Sequence, residues 1–235
     1  MVDDSDELER ARRGLPTKEV ARAALFTEGL RAAHPQLSAA AIDAAYEQLQ
    51  ARFRVAWKEQ QTTPGVAVRL GWGLEALGLA PPPGWSTVID EFESMEVEIP
   101  PEPVPHLVEA LSALAERYRL GIISDTIITP GRGLRTLLDR MGVGHLFSHH
   151  VFSDEVGKSK PAPRVFALAC AGLDVRPSGL LHVGDREQND VMGPILFGAR
   201  AALYTGVVDR GSASTAAQLV IDDLRALPAL VDALP

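Results

Sequence analysis

The sequence predicts an α/β protein, with a doubly wound, mainly parallel, Rossmann-like sheet and a small all-helical domain in front of it. Residues 1–97 carry only helical patterns. Beyond about residue 104, helical patterns of about ten residues alternate with short apolar strands. This alternation is typical of βαβ units, which build parallel sheets through right-handed crossovers.

Residues that start or break helices divide the first part of the chain into several predicted helices. Thr17 precedes one helix, and Ser38 is a good N-cap for the longest. Apolar residues recur along that helix every three or four positions, and we interpret them as bundle core rather than ligand contacts: Ile42, Tyr46, Leu49, Phe53 and Trp57. Pro64-Gly65 and the proline run at 81–83 then separate two shorter helices, predicted around 68–77 and 88–95.

The acidic, proline-rich stretch 96–105 indicates a linker. We therefore predict a helical domain over residues 1–97 and an α/β domain over residues 98–235. In the second domain, strands are predicted at 120–124, 151–153, 180–183, 201–204 and 220–221, with helices at 104–117, 134–141, 164–171, 191–197 and 224–234.

The composition of the chain excludes several classes of protein. The net charge is −8 and no basic run interrupts it, which argues against a nucleic-acid or anionic-membrane partner. Cys170 is the single cysteine, so an internal disulfide is excluded and a reducing compartment is expected. No apolar stretch approaches the ~18 residues of a membrane span. We expect a soluble, cytoplasmic protein that is a monomer or a homodimer.

Polar residues gather where the predicted strands end. Ser124, Asp125 and Thr126 follow the first strand, and Asp185 follows the third. Because the carboxyl ends of parallel strands line the ligand crevice of an open α/β sheet, we expect these groups to share one rim. Two further polar groups belong with them: the run Gly157-Lys158-Ser159-Lys160-Pro161 before a helix, and Asp190, five positions after Asp185.

A hydroxyl, an ammonium and paired carboxylates are what a phosphate and a divalent cation require. Plainer interpretations exist for each residue: Ser124 caps a turn, Lys160 is solvated, Asp185 solvates a turn, and Asp190 only N-caps the following helix. The joint occurrence of these residues in this order favours the anion and cation site.

The motifs resemble those of the haloacid dehalogenase superfamily, whose members are mostly phosphohydrolases. Ile122-Ile123-Ser124 resembles the second motif of that family. Gly157 to Pro161 resembles the third, which selects Lys160 over Lys158, and Gly184-Asp185 through Asp190 resembles the fourth. The resemblance covers about residues 105–206. The helical opening is similar to the small cap that these enzymes insert after their first strand.

The resemblance implies a role for each matched residue. Ser124, with Asp125 and Thr126 beside it, would bind the phosphoryl oxygens, and Lys160 would neutralise their charge and keep nearby carboxylates ionised. Asp185 would bind Mg²⁺, with Asp190 as a second ligand or as its support. An aspartate nucleophile would form a phosphoaspartate that water hydrolyses. Ser124, Lys160 and Asp185 are thus the expected catalytic residues.

The family's first motif, an apolar strand ending in Asp-x-Asp, has no clear match. Asp4 and Asp6 have the spacing but too few residues before them for a strand. We expect the chain to begin after that motif and to be inactive or poorly folded as given, with its two flanking strands left unpaired or forced together. An added apolar strand ending in Asp-x-Asp should restore Mg²⁺-dependent phosphatase activity.

Three functions remain open. The leading one is a Mg²⁺-dependent phosphohydrolase of a small phosphorylated metabolite. A 2-haloacid dehalogenase would use the same scaffold without metal, but the acidic pair at Asp185 and Asp190 favours a metal-bound phosphate. The third is a non-catalytic protein that binds a phosphorylated ligand.

Overall fold

The computed structural model describes residues 5–234. Its contacts divide into two units. The helical unit runs up to Glu102 and includes the later segment Thr126–Leu137, and the α/β unit comprises Pro103–Asp125 and the chain from Leu138 onward. The boundary predicted after residue 97 stays a prediction, and the contacts themselves divide after Glu102.

Five helices form most of the helical unit: α1 (Ser5–Arg12), α2 (Lys18–Ala33), α3 (Ala39–Lys58), α4 (Val66–Ala76) and α5 (Trp85–Glu98). Thr17 and Ser38 cap α2 and α3, because each side-chain oxygen accepts a hydrogen bond from the backbone N–H three residues on. These two caps confirm the predicted helix starts.

One apolar cluster holds the helical unit together. Its fully buried members come from α2, α3 and α4, and they include Phe26, Leu30, Ile42, Leu49 and Leu70. Of the aromatic stripe predicted as core, Phe53 is buried and Trp57 stacks on it with 6.4 Å between ring centroids. Tyr46 packs against the cluster, its ring centroid 5.4 Å from that of Phe26.

The α/β unit alternates helices and strands: α6 (Leu107–Ala115), β1 (Leu120–Ser124), α7 (Gly131–Arg140), β2 (Phe147–Phe152), α8 (Ser153–Val156), α9 (Pro163–Leu173), β3 (Leu181–Gly184), α10 (Gly193–Phe197), β4 (Arg200–Tyr204), β5 (Leu219–Ile221) and α11 (Leu227–Asp232). The first seven residues of α7 belong to the helical unit. The Rossmann-like α/β fold class is confirmed.

All strand pairs within residues 5–234 are parallel, and they form two sheets. β1 pairs with β2, and β3, β4 and β5 pair in that order. Among the strands that the structure describes, β1 and β3 therefore have one paired edge each and do not pair with one another.

Two elements differ from the sequence prediction. β2 begins at Phe147 rather than at residue 151, and Ser153, predicted to end it, instead starts α8. The helix predicted over 191–197 is preceded by a π-helical turn, Glu187–Met192, and becomes α-helical only at Gly193. Between residues 5 and 234, none of the helices combines the length and apolar composition needed to span a bilayer.

Candidate functional site

Asp125 links two segments beyond the carboxyl end of β1. One of its carboxylate oxygens, Oδ1, accepts a hydrogen bond from the backbone N–H of Lys160 at 2.8 Å. The other, Oδ2, accepts one from the Asn189 side-chain amide at 3.2 Å. A single carboxylate thus ties the loop before α9 to the π-helical turn after β3.

Lys160 and Asp190 form a buried ion pair. The Lys160 ammonium lies 2.7 Å from Oδ1 of Asp190, and their side chains are only 13% and 3% exposed. Asp190 also accepts a bond of 3.0 Å from the ring of His182 on β3, and one of 3.0 Å from the backbone N–H of Arg186. Both Asp190 oxygens therefore have partners, and the ammonium of Lys160 is fixed in position.

The local backbone allows Asp190 to approach β3. The π-helical turn carries the Asp190 side chain back over the end of the strand, a type of turn often found at functional sites. A Cβ on Gly184 would lie 2.4 Å from Cγ of Asp190, closer than atoms can pack. Gly184 is therefore required by this close approach.

Mutual electrostatics keep the pair ionised. Burial alone would lower the pKa of Lys160, but the carboxylates of Asp190, Asp125 and Asp185 outweigh burial and raise that pKa above its ordinary value. Burial alone would raise the pKa of Asp190, but the charge of Lys160 and the bond from His182 hold it well below its usual range.

His182 is neutral in this setting. Burial lowers the pKa of its ring, and the positive charge of Lys160 acts in the same direction against the opposing effect of Asp190. A neutral ring beside an ionised carboxylate donates its Nε2–H to that carboxylate. His182 therefore helps to orient Asp190 without adding charge.

Asp185 lies in a more open environment. Its side chain is 47% exposed, and Oδ2 is 3.1 Å from Nε of Arg210. A Mg²⁺ ion keeps several waters and needs only one or two protein carboxylates when a phosphate supplies further oxygens, so Asp185 fits that role. Asp190 fits less well as a direct ligand, because hydrogen bonds engage both its oxygens. Residues 5–234 contain no cluster of three or more His, Cys, Asp or Glu side chains arranged to hold a metal.

The other predicted site residues fall in different places. Ser124 is the last, half-buried residue of β1, directly before Asp125. Thr126 is buried and belongs to the helical unit. Asp6 lies in α1, buried and bonded to Lys18, also within the helical unit. Asp4 lies outside the described residues.

Sequence reasoning missed three contributors to this network. His182 was not named in the motif comparison, but it is buried on β3 and its ring bonds to Asp190. Asn189 and Arg210 were not singled out, although Asn189 stands directly before Asp190 in the fourth motif. For Arg210, 25 positions from its partner Asp185, the sequence carries no signal of the contact.

A family model for haloacid dehalogenase-like hydrolases matches residues 8–198, most of the chain. The chain belongs to the haloacid dehalogenase-like hydrolase family. The match includes Ser124, Lys160, Asp185 and Asp190, the residues on which the resemblance was based.

Relatives in this family include named phosphatases. The chain is 33% identical over 113 residues to glyceraldehyde 3-phosphate phosphatase of Methanopyrus kandleri, covering 47% of this chain and 45% of the relative. It is 39% identical over 108 residues to phosphoserine phosphatase of Thermus thermophilus, covering 46% and 42%. The chain thus spans less than half the length of these relatives.

Solved structures of the family share the fold. A 2-haloacid dehalogenase from Pseudomonas syringae gives a TM-score of 0.65 at 19% identity, covering 92% of this chain and 91% of that one. A haloacid dehalogenase-type phosphatase from Thermococcus onnurineus gives 0.61 at 20% identity, covering 92% of each chain. At this identity the comparison shows the fold alone.

Proposed function

We propose that this chain is a phosphohydrolase-type member of its family, acting on the phosphate monoester of a small metabolite. The observation that carries the proposal is the buried Lys160 ammonium, which bonds to Asp190, while the backbone N–H of the same residue bonds to Asp125 at the end of β1. A fixed cation in a water-poor site stabilises a phosphoryl group strongly, because it needs no reorganisation when charge develops. The phosphatase names of the two relatives support the same reaction class.

Each residue has a proposed task. Lys160 neutralises the non-bridging phosphoryl oxygens, and the Ser124 hydroxyl donates a hydrogen bond to one of them. Asp125, Asp190 and His182 position Lys160. A bound Mg²⁺ would offset further charge on the phosphoryl group, with Asp185, water and the ester as its ligands.

The chemistry also needs a nucleophile. A carboxylate oxygen attacks phosphorus, the bond to the ester oxygen breaks, and the leaving alcohol takes up a proton. Water then cleaves the resulting acyl phosphate, which releases inorganic phosphate and regenerates the carboxylate. Residues 5–234 include no Asp-x-Asp pair at the end of a strand, so the nucleophile stays a prediction tied to an additional strand between β1 and β3.

The test compares phosphate release from a panel of small phosphate monoesters by two proteins, the chain as given and the chain preceded by an apolar strand ending in Asp-x-Asp. We expect little turnover from the first and Mg²⁺-dependent release from the second, with Lys160→Met abolishing it. Release by neither protein, with both folded, would contradict the proposal.

A second function, ligand binding without catalysis, is favoured by one observation: residues 5–234 supply a fixed cation but no Asp-x-Asp pair at a strand end. In that case phosphate esters would bind with heat detectable by calorimetry, and both proteins would give zero turnover. The two measurements together therefore separate binding from hydrolysis.

A further inference from the structure

The loop between β4 and β5 returns to the candidate site. It comprises residues 205–218 and leaves the carboxyl end of β4, which pairs in parallel with β3. It therefore starts at the same edge of the sheet as Asp185, which follows β3 directly. Arg210 in this loop donates its Nε–H to Oδ2 of Asp185 at 3.1 Å. The loop thus places a cation on the carboxylate that is proposed to bind Mg²⁺.

Hydrogen bonds fix the backbone around Arg210. The carboxylate of Asp209 accepts bonds from the backbone N–H groups of Gly211 and Ser212, at 2.9 and 2.8 Å, and from the Ser212 hydroxyl at 2.7 Å. Gly211 has a φ of +103°, a conformation that favours glycine. Because the backbone on both sides of Arg210 is already ordered, less conformational entropy is lost when its side chain pairs with Asp185.

A second anchor ties the far end of the loop to the π-helical turn. Oε2 of Glu187 accepts a hydrogen bond from the Thr215 hydroxyl at 2.6 Å, and Oε1 accepts one from the backbone N–H of Ala216 at 3.0 Å. Glu187 lies two residues after Asp185, so both anchors hold the loop against one short segment. Arg210 therefore stays within reach of Asp185 when the ion pair opens.

Arg210 and a metal ion would compete for this carboxylate. A guanidinium and a divalent cation on the same carboxylate lie within a few ångströms of each other, where like charges repel. Mg²⁺ also keeps several waters around it, and the guanidinium beside Oδ2 of Asp185 occupies space that those waters need. Arg210 paired with Asp185 thus disfavours metal binding, and metal binding disfavours the pair.

We propose that Arg210 is an internal competitor of Mg²⁺ for Asp185, which the β4–β5 loop holds in place until the metal displaces it. This inference rests on the proposed function, because it takes Asp185 as the metal ligand. The two side chains are 46% and 47% exposed, and exposed ion pairs are weak. The competition therefore lowers the metal affinity modestly and leaves Asp185 accessible. Arg210 regulates metal binding and is not a catalytic residue.

The first test is calorimetric titration of the whole chain with Mg²⁺, in the absence of phosphate and phosphate esters. Arg210→Met should bind Mg²⁺ about three- to sixfold more tightly than the unmodified chain, because Asp185 is then open in every molecule. The control is Arg119→Met, which changes the net charge equally. Arg119 is 55% exposed, lies 3.5 Å from Asp174 and precedes β1, at the amino end of that strand. Equal gains in the two variants, or no gain in either, would overturn the proposal.

The second test follows the NMR signal of the Arg210 Nε–H, and it needs no Arg210 variant to fold. In the unmodified chain, Mg²⁺ should shift this signal with the same midpoint as the heat of binding. In Asp185→Asn, the signal should start near its displaced position and should not respond to Mg²⁺. A signal that Mg²⁺ does not move in the unmodified chain would refute the displacement of Arg210.

The outcomes separate this inference from the proposed function. Mg²⁺ binding that is the same with and without Arg210 refutes the competition alone. A chain that binds no Mg²⁺ refutes both the competition and the metal role of Asp185. The phosphate site is tested separately, by the effect of Lys160→Met on phosphate binding without metal.

Discussion

The Lys160 ammonium and the Asp190 carboxylate are in contact at 2.7 Å, although 30 residues separate them in the chain. Lys160 precedes α9, and Asp190 lies in the turn after β3, so the fold creates this pair from two separate βα connections. Their contact brings the third and fourth sequence motifs together in space. It also makes the stability of the α/β unit depend on the candidate site.

Replacement of Asp190 by Asn should destabilise the protein by about 3 kcal/mol, because it removes the carboxylate charge that is bonded to the buried ammonium of Lys160. Urea unfolding of both proteins measures this change. The control is Asp174→Asn, since Asp174 is 95% exposed and 3.5 Å from Arg119, and we expect it to leave the free energy of unfolding nearly unchanged. Similar losses in the two variants would contradict the buried-pair interpretation.

Gly184→Ala should cost about 1–3 kcal/mol of stability through overpacking, because the new methyl group would overlap Asp190. Gly179→Ala is the matched change, since the nearest atom to its added Cβ is 3.8 Å away. Thermal unfolding of both variants is the measurement. If Gly184→Ala has the same melting temperature as the unmodified chain, Asp190 does not pack against β3 as described.

The helical unit should show its own pH dependence through Glu96. Its carboxylate accepts a 2.6 Å hydrogen bond from Thr129 and lies 3.3 Å from the Lys18 ammonium. Burial alone would raise the pKa of Glu96, but these partners and Arg22 lower it. A carboxyl group with a lowered pKa stabilises the fold above its unfolded pKa of about 4.3 and loses that contribution as the pH falls.

Glu96→Gln should therefore be less stable than the unmodified chain by about 1–2 kcal/mol at pH 7, and the difference should shrink below about pH 4. Denaturant unfolding at a series of pH values measures it. Glu28→Gln serves as the comparison, because Glu28 is an exposed glutamate of α2. If the stability difference between Glu96→Gln and the unmodified chain stays constant with pH, the charge of Glu96 contributes nothing to stability.

Much of the fold could be predicted from local sequence patterns, such as apolar runs and their periodicity. The bounds of β1 match the predicted 120–124, because an apolar run between a helix and a polar turn identifies a buried strand without tertiary information. β2 was predicted too short, since Ser148, His149 and His150 interrupt its apolar pattern. The π-helical turn was missed because periodicity within a segment does not distinguish it from an α-helix.

Such local patterns could not predict contacts between residues that are far apart in the sequence. The assignment of Thr126–Leu137 to the helical unit depends on contacts with distant residues, such as Thr129 with Glu96. The family resemblance pointed to Lys160 and Asp190, but the bonds from Asp125 and His182 that position them depend on how the strands lie in the fold. The burial of Arg69 over the ring of Phe53 could not be predicted either, because the sequence pattern around a buried arginine in an apolar helix resembles that around an exposed one.

Calorimetric binding of inorganic phosphate to three proteins tests directly whether Lys160 is the fixed cation of a phosphate site. We expect one site in the unmodified chain, affinity about ten- to a hundredfold weaker in Lys160→Met, and little change in Lys158→Met, two residues away in the same motif. No binding by the unmodified chain, or equal loss in the two lysine variants, would contradict it.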